Sequence, residues 1–182
     1  MIEEAAAFAE RAHRGVFRKG TKIPYIVHPM EAAVIVAAMT GDEEIISAAL
    51  LHDVVEDTPV TAEEIGARFG ERVMTLVMAQ TENKGRSWRE RKAATLLALE
   101  RGTREVRLLA LGDKLSNMRS TARDYLICGD RLWERFNEKD KRQHAWYYWG
   151  IVQRLKEFQG QLYYEELVLL YRRVFGEMPE QI

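Results

Sequence analysis

Four side chains that carry charge or can hold a metal fall within six consecutive positions of an otherwise apolar stretch. They are His52, Asp53, Glu56 and Asp57, within Ala48-Ala49-Leu50-Leu51-His52-Asp53-Val54-Val55-Glu56-Asp57. On one continuous helical wheel, at about 100° per residue, they share an arc of about 140° with Ile45, Ile46 and Ala49. The rest of the wheel is Ala48, Leu50, Leu51, Val54 and Val55. A helix that is apolar all round is expected to be buried, and its acids with it. An unpaired buried carboxylate costs roughly several kcal/mol, so any fold that accepts this segment must supply compensation. A bound cation does so most simply.

The remaining chain reads as helices separated by short breakers. Residues 2–14 form a helix ending near Gly15, and 16–28 an irregular basic loop. Pro29 suits the first turn of a helix running to Thr40. Asp42 is placed to cap 43–56, which Thr58-Pro59 ends. Thr61-Ala62-Glu63-Glu64 and Ser87-Trp88-Arg89-Glu90 match the capping-box pattern, opening helices over 62–69 and from 87 to about 101. Further helices are expected over 71–81, 104–127 and 162–175. No segment alternates as a strand would. The fold class is all-α.

At 182 residues, one domain covering 1–182 is expected, with a core over about 4–125 and a C-terminal helical extension over about 130–182. A net charge of −1 gives no general attraction to nucleic acid or to an anionic membrane. Any anion binding must then come from local placement. Cys128, the single cysteine, suits a reducing compartment. The start, Met1-Ile2-Glu3-Glu4, lacks a signal-peptide pattern, and the longest apolar run, 32–39, is too short to span a bilayer. A cytoplasmic location is expected, and association into a homo-oligomer stays open.

A mixed histidine and carboxylate set suits Mn²⁺, Fe²⁺ or Zn²⁺. His52 and Asp53 do not close a coordination sphere. His28, fixed before Pro29, is the best third ligand, and Asp113, an acid inside an apolar helical pattern, the best fourth. Each has a plain structural alternative: His28 as a capping or core residue, Asp113 as a partner of Lys114 or Arg119, Glu56 as half of a salt bridge.

At this point several stretches resemble a known family. They are Arg18-Lys19-Gly20, Pro24-Tyr25-Ile26-Val27-His28-Pro29, Ala48 to Thr58, and Gly112-Asp113-Lys114-Leu115-Ser116-Asn117-Met118-Arg119. Together they resemble the HD-domain metal-dependent phosphohydrolases, and within them the hydrolase half of the RelA/SpoT alarmone enzymes and their small stand-alone relatives. The resemblance implies an HD-domain helical bundle of about eight to ten helices, with Mn²⁺ held by His28, His52, Asp53 and Asp113. Fe²⁺, Zn²⁺ and Mg²⁺ are the alternatives. It implies that Glu56 and Asp57 serve the attacking water. It implies a guanosine nucleotide with a 3′-pyrophosphate as substrate, pyrophosphate as product, and substrate contacts at Arg18, Lys19, Asn117 and Ser120. Ser120 stands where threonine is more usual. No synthetase region is recognisable.

The residues themselves support such chemistry. Two adjacent acids do not share one pKa, so one can act as a base. Arg14, Arg18, Lys19 and Lys22 offer cations to a diphosphate, and Lys84, Arg86, Arg89, Arg91 and Lys92 form a second basic segment. Either can equally be a solvated face. Tyr25 can stack on a base or pack beneath the loop, and Lys114 and Arg119 can reach phosphate or answer Glu56. Trp133, Phe136, Trp146, Tyr148 and Trp149 are expected in the core rather than as a stacking platform. His13 and His144 are expected as ordinary surface or packing residues. The leading expectation is a small-molecule nucleotide 3′-pyrophosphohydrolase. An HD phosphohydrolase acting on another nucleotide or phosphate ester, and a non-catalytic nucleotide-sensing module, stand behind it.

Overall fold

In the computed structural model, residues 1–177 are described; the last five positions of the expected extension, 178–182, lie outside them. The helices are α1 (Ile2–Ala12), α2 (Val27–Ala37), α3 (Glu43–Leu51), α4 (Val54–Asp57), α5 (Ala62–Phe69), α6 (Glu71–Met78), α7 (Trp88–Arg101), α8 (Arg104–Cys128), α9 (Lys141–Arg154) and α10 (Leu162–Phe175). Two 3₁₀ turns, Gly129–Arg135 and Lys156–Phe158, flank α9. The only β-type pairing among the described residues is one isolated bridge, Phe17 to Pro24. The architecture is all-α, as the periodicity requires. No helix among the described residues is long and apolar enough to cross a membrane.

Local chemistry sets the ends of these elements. The Asp42 carboxylate accepts from the backbone N–H groups of Glu44 and Ile45 at 3.0 and 3.4 Å and starts α3. Ser87 and Glu90 close a reciprocal capping box on α7, whereas Thr61 caps α5 from one side only. The loop before α2 is pinched by Arg18 N–H to the Ile23 carbonyl and Tyr25 N–H to the Val16 carbonyl, each 2.8 Å.

The single helix expected over 43–56 is two helices. The break falls at His52 and Asp53, and its cause is local. His52 Nδ1 donates to the Ala49 carbonyl at 2.8 Å. An uninterrupted helix would offer that carbonyl to the N–H of Asp53, four residues on. The ladder gives way there and resumes with Asp57 N–H to the Asp53 carbonyl. The break also corrects the expected common burial of the acids: Asp57 is exposed and Glu56 half-buried. Only the part of the cluster next to the break is inside.

The long α8 runs through the middle of the molecule, against α2, α3 and α10. Its Leu108, Leu109, Leu111, Leu115 and Met118 are nearly inaccessible, as are Ile35 and Val36 of α2 and Ala48, Ala49 and Leu51 of α3. Gly112 lets α2 and α8 approach: a Cβ there would lie 2.7 Å from Val36 Cγ2 and 2.8 Å from the Ala32 carbonyl oxygen. The aromatic segment is a second packing layer. Trp133 and Tyr148 are buried and stack on Phe175, with centroids at 5.6 and 6.0 Å. Trp146, Trp149 and Phe136 are only half-buried at its edge. His13 and His144 are both buried; His144 sits among Trp88, Trp133 and Phe136.

Candidate active site

His28 enters from the first turn of α2, His52 and Asp53 from the break between α3 and α4, and Asp113 from the middle of α8. The close α2–α8 approach brings these elements to one point. His28 Nε2 lies 3.2 Å from His52 Nε2, 3.4 Å from Asp53 Oδ2 and 3.3 Å from Asp113 Oδ1. His52 Nε2 lies 3.1 Å from Asp53 Oδ2 and 3.6 Å from Asp113 Oδ1. His28, His52 and Asp113 are buried and each offers one ligand atom within 4.8 Å of the others.

The tautomers follow from the far side of each ring. The Ala49 carbonyl can only accept, so His52 Nδ1 carries a proton, and the neutral ring keeps its lone pair at Nε2, where a cation can take the place of a second proton. His28 Nδ1 meets the Ser116 hydroxyl at 2.8 Å, and that hydroxyl donates onward to Glu31 Oε2 at 2.8 Å. Ser116 therefore accepts from His28, so the neutral His28 ring likewise keeps its lone pair at Nε2. Two imidazole lone pairs and two carboxylate oxygens facing one point repel unless positive charge lies among them. That donor set fits a divalent cation of the Mn²⁺, Fe²⁺ or Zn²⁺ type.

The ionisation of the group agrees. Burial opposes charge on Asp53, Asp113 and His52, yet mutual attraction wins. Asp53 is held well below the usual carboxylate range by His52 and His28, and Asp113 by Lys114 and the two histidines. His52 is lifted well above the usual imidazole range by Asp53 and Asp113. The cluster draws positive charge.

The Tyr25 hydroxyl donates to Asp53 Oδ2 at 2.6 Å and lies 3.2 Å from Asp57 Oδ2. Burial, and then Asp53, push its ionisation far up, so the phenol keeps its proton. The ring lies against His13, with centroids 4.7 Å apart, and beneath the Arg18 guanidinium at 5.6 Å. Asp57 is also ion-paired with Lys84 at 2.7 Å. Glu56 is anchored through one oxygen: its Oε2 accepts from Glu82 N–H at 2.9 Å. Burial, followed by the charge of Glu82, raises its pKa. One hydroxyl thus ties Asp57 to the candidate ligand Asp53, whereas Glu56 is tied to Glu82.

Beside Tyr25 opens a cavity of about 160 Å³. Arg18, Lys19, Asn117, Ser120, Thr121 and Phe136 are among its lining residues. Arg18 Nη2 donates to Asn117 Oδ1 at 2.7 Å, and Asn117 Nδ2 donates to Asp113 Oδ1 at 2.6 Å. The expected loop and helix positions therefore meet in one wall that ends on Asp113, a candidate ligand. Lys114 lies elsewhere, its ammonium on Asp113 Oδ2 and 5.9 Å from the Tyr147 ring centre. Arg119 pairs with Glu31 and Glu166, and neither it nor Lys114 answers Glu56. In the second basic segment, Arg91 and Lys92 are paired with Glu82, while Arg89 lies over Trp146. The position of His13 beneath Tyr25 carries no sequence signal, because a histidine followed by Arg14-Gly15 looks like any helix end.

The model of the HD domain matches residues 5–125, the span that contains every one of these ligand candidates. The chain belongs to the HD-domain family. The HD domain implies dependence on a divalent metal, and the observed donor set accommodates one. This HD-domain chain is 36% identical over 160 residues to the Homo sapiens protein named guanosine-3′,5′-bis(diphosphate) 3′-pyrophosphohydrolase MESH1, covering 86% of this chain and 84% of that one. It is 41% identical over 122 residues to the Aquifex aeolicus guanosine-3′,5′-bis(diphosphate) 3′-pyrophosphohydrolase, covering 65% of this chain. The match spans only 17% of that longer relative. Among solved structures it is similar to one described as a metazoan ortholog of SpoT that hydrolyses ppGpp. There the TM-score is 0.80 and the identity 27%, over 97% of this chain and 96% of that one.

Proposed function

We propose that this HD-domain chain is a guanosine 3′,5′-bis(diphosphate) 3′-pyrophosphohydrolase. Water adds across the bond joining the 3′ oxygen to its diphosphate, leaving guanosine 5′-diphosphate and releasing pyrophosphate. The observation that carries this function is the shared wall between two compartments. Arg18 and Asn117 line a cavity large enough for part of a nucleotide, and Asn117 is bonded to the ligand carboxylate of Asp113. A nucleotide seated on that wall has its phosphates beside the cluster of His28, His52, Asp53 and Asp113.

In this proposal those four residues hold Mn²⁺. A divalent cation so held lowers the pKa of bound water and neutralises charge developing on phosphoryl oxygen. Arg18 and Lys19 bind and orient the substrate, with Ser120 and Asn117 offering polar contacts beneath. Tyr25 keeps Asp53 turned inward by donating a hydrogen bond to Oδ2. Glu56, lifted by burial, accepts the proton of the attacking water, since a carboxylate with a raised pKa is the stronger base. Asp57, anchored by Lys84 and Tyr25, orients that water.

We also propose that the whole chain is one hydrolase unit, because α10 packs along the same α8 that carries Asp113. We place it in the cytoplasm, where its one free thiol, Cys128, stays reduced.

The test is incubation of the purified protein with ppGpp and Mn²⁺, with phosphate and pyrophosphate detected separately. Pyrophosphate and guanosine 5′-diphosphate in equal amounts are expected. Phosphate alone, or turnover only of other nucleotides, would move the protein to a different HD phosphohydrolase activity. Binding of ppGpp without turnover would make it a sensor.

A further inference from the structure

A chain of side-chain hydrogen bonds runs from the His28 ring to the C-terminal helix. His28 Nδ1 donates to Ser116 Oγ at 2.8 Å, and the Ser116 hydroxyl donates to Glu31 Oε2 at 2.8 Å. Glu31 Oε1 accepts from Arg119 Nη1 at 3.0 Å. Arg119 grips both oxygens of Glu166 through Nε and Nη2, each at 2.7 Å. Three helices contribute: α2 with His28 and Glu31, α8 with Ser116 and Arg119, α10 with Glu166. None of Glu31, Ser116, Arg119 and Glu166 lines the cavity beside Arg18.

The direction of this chain is dictated by its fixed members. A guanidinium can only donate, and an ionised carboxylate can only accept. Glu31 therefore takes the one proton of Ser116, and Ser116 must accept from His28. The neutral His28 ring is thereby confined to the Nδ1-protonated tautomer. Without the acceptor, the ring is free to carry its proton on Nε2, the atom that faces His52, Asp53 and Asp113. A ring in that tautomer cannot ligate through Nε2. Ser116 has no exposed surface, so no water replaces it without rearrangement. An isolated Arg119–Glu166 pair at about a third exposure would contribute little to stability. Joined to Glu31, it has a different use: it fixes the carboxylate that fixes the serine.

We propose that Ser116 and Glu31 are positioning residues for the metal, setting the tautomer and aim of His28, and that Arg119 and Glu166 hold Glu31 in place. The segment after residue 125, beyond the HD-domain match, then contributes to metal affinity through Glu166. This rests on His28 as a ligand and not on the identity of the nucleotide.

The test is Mn²⁺ affinity of the full chain, measured by equilibrium dialysis with metal quantification and without substrate. Ser116→Ala and Glu31→Ala are expected to weaken binding by about 10- to 100-fold. Glu166→Ala is expected to weaken it by a smaller factor. Glu31 is half-buried at the molecular edge, so its removal leaves the fold intact even where the buried serine change does not. Imidazole ¹⁵N and N–H proton shifts of the diamagnetic Zn²⁺-loaded protein supply a readout that a merely structural role does not move. The His28 Nδ1 proton should be strongly hydrogen-bonded in the parent and lose that bond in Glu31→Ala. Parent-like affinity and parent-like His28 shifts in Glu31→Ala, while His28→Ala loses the metal, overturns the proposal. Parent-like affinity in His28→Ala overturns the ligand assignment itself, and the proposal with it.

Discussion

Arg18 and Asn117, ninety-nine positions apart, share a 2.7 Å hydrogen bond between guanidinium and amide oxygen. The same amide donates to Asp113 Oδ1 at 2.6 Å. A residue expected at the substrate is therefore one side chain removed from a residue expected at the metal. The two substitutions should separate. Arg18→Ala should raise KM for ppGpp by about 10- to 100-fold, the scale of a lost charged hydrogen bond, and leave Mn²⁺ affinity as it was. Asn117→Ala should raise KM and also weaken Mn²⁺, because Asp113 loses an orienting donor. Steady-state kinetics paired with metal dialysis reads both. Equal metal affinity in the two variants would disconnect the cavity wall from the ligand set.

Glu56 and Asp57 are neighbours in sequence with different surroundings. Glu56 is half-buried and raised, mainly by burial, while Asp57 is exposed and paired with Lys84. Glu56→Gln keeps the bond from Glu82 N–H and removes only the capacity to accept a proton. It should lower kcat by about 100- to 10,000-fold with Mn²⁺ affinity retained. Lys84→Ala frees Asp57 and should cost far less. If Glu56→Gln turns over normally, Asp57 is the base and the roles are exchanged.

The division between these acids shows where sequence reasoning reached its limit. A helical wheel treats the segment through Asp57 as one rigid rod and therefore buries all four polar residues together. The rod breaks because the His52 side chain takes the Ala49 carbonyl, a contact that no hydrophobic period encodes. What was legible depended on residue types that are costly in their setting. Asp113 stood out as an acid in an apolar pattern, and His28 as a histidine locked before proline. The caps at Asp42 and Ser87 carried their own short-range signal. Glu31, Ser116 and Glu166 gave none, because a half-exposed glutamate and a helical serine are ordinary anywhere. Their relationship exists only once α2, α8 and α10 are side by side.

Asp42 anchors the helix that delivers His52. Its carboxylate caps α3 and is bonded to Arg72 at 2.8 Å. That bond, more than the opposing effect of burial, lowers its pKa below the ordinary 3.8. A carboxyl depressed on folding contributes stability above its unfolded pKa and loses it as pH falls through the folded value. Asp42→Ala should therefore destabilise the protein by about 1 kcal/mol near neutral pH. The gap from the parent should narrow when denaturant unfolding is repeated at about pH 3. A gap that stays constant with pH would assign the loss to helix propensity and not to the charged cap.

Gly112 and Gly66 both lie inside helices, and the same substitution should act oppositely on them. A Cβ at Gly112 would meet Val36 Cγ2 at 2.7 Å and the Ala32 carbonyl oxygen at 2.8 Å. The second of these is backbone, so α2 must shift as a whole. A Cβ at Gly66 would meet Met74 Sδ at 2.9 Å, the end of a flexible side chain that can swing aside. Gly66→Ala then gains helix propensity, worth about 1 kcal/mol, at the small expense of one rotamer. Gly112→Ala gains the same propensity but overpacks the α2–α8 contact, which costs about 1–3 kcal/mol. It should lower the melting temperature and weaken Mn²⁺ as well, because α2 carries His28 and α8 carries Asp113. Thermal unfolding and metal dialysis of the two variants decide it. If Gly112→Ala melts like Gly66→Ala and binds Mn²⁺ like the parent, the ligand set does not depend on the close approach of these helices.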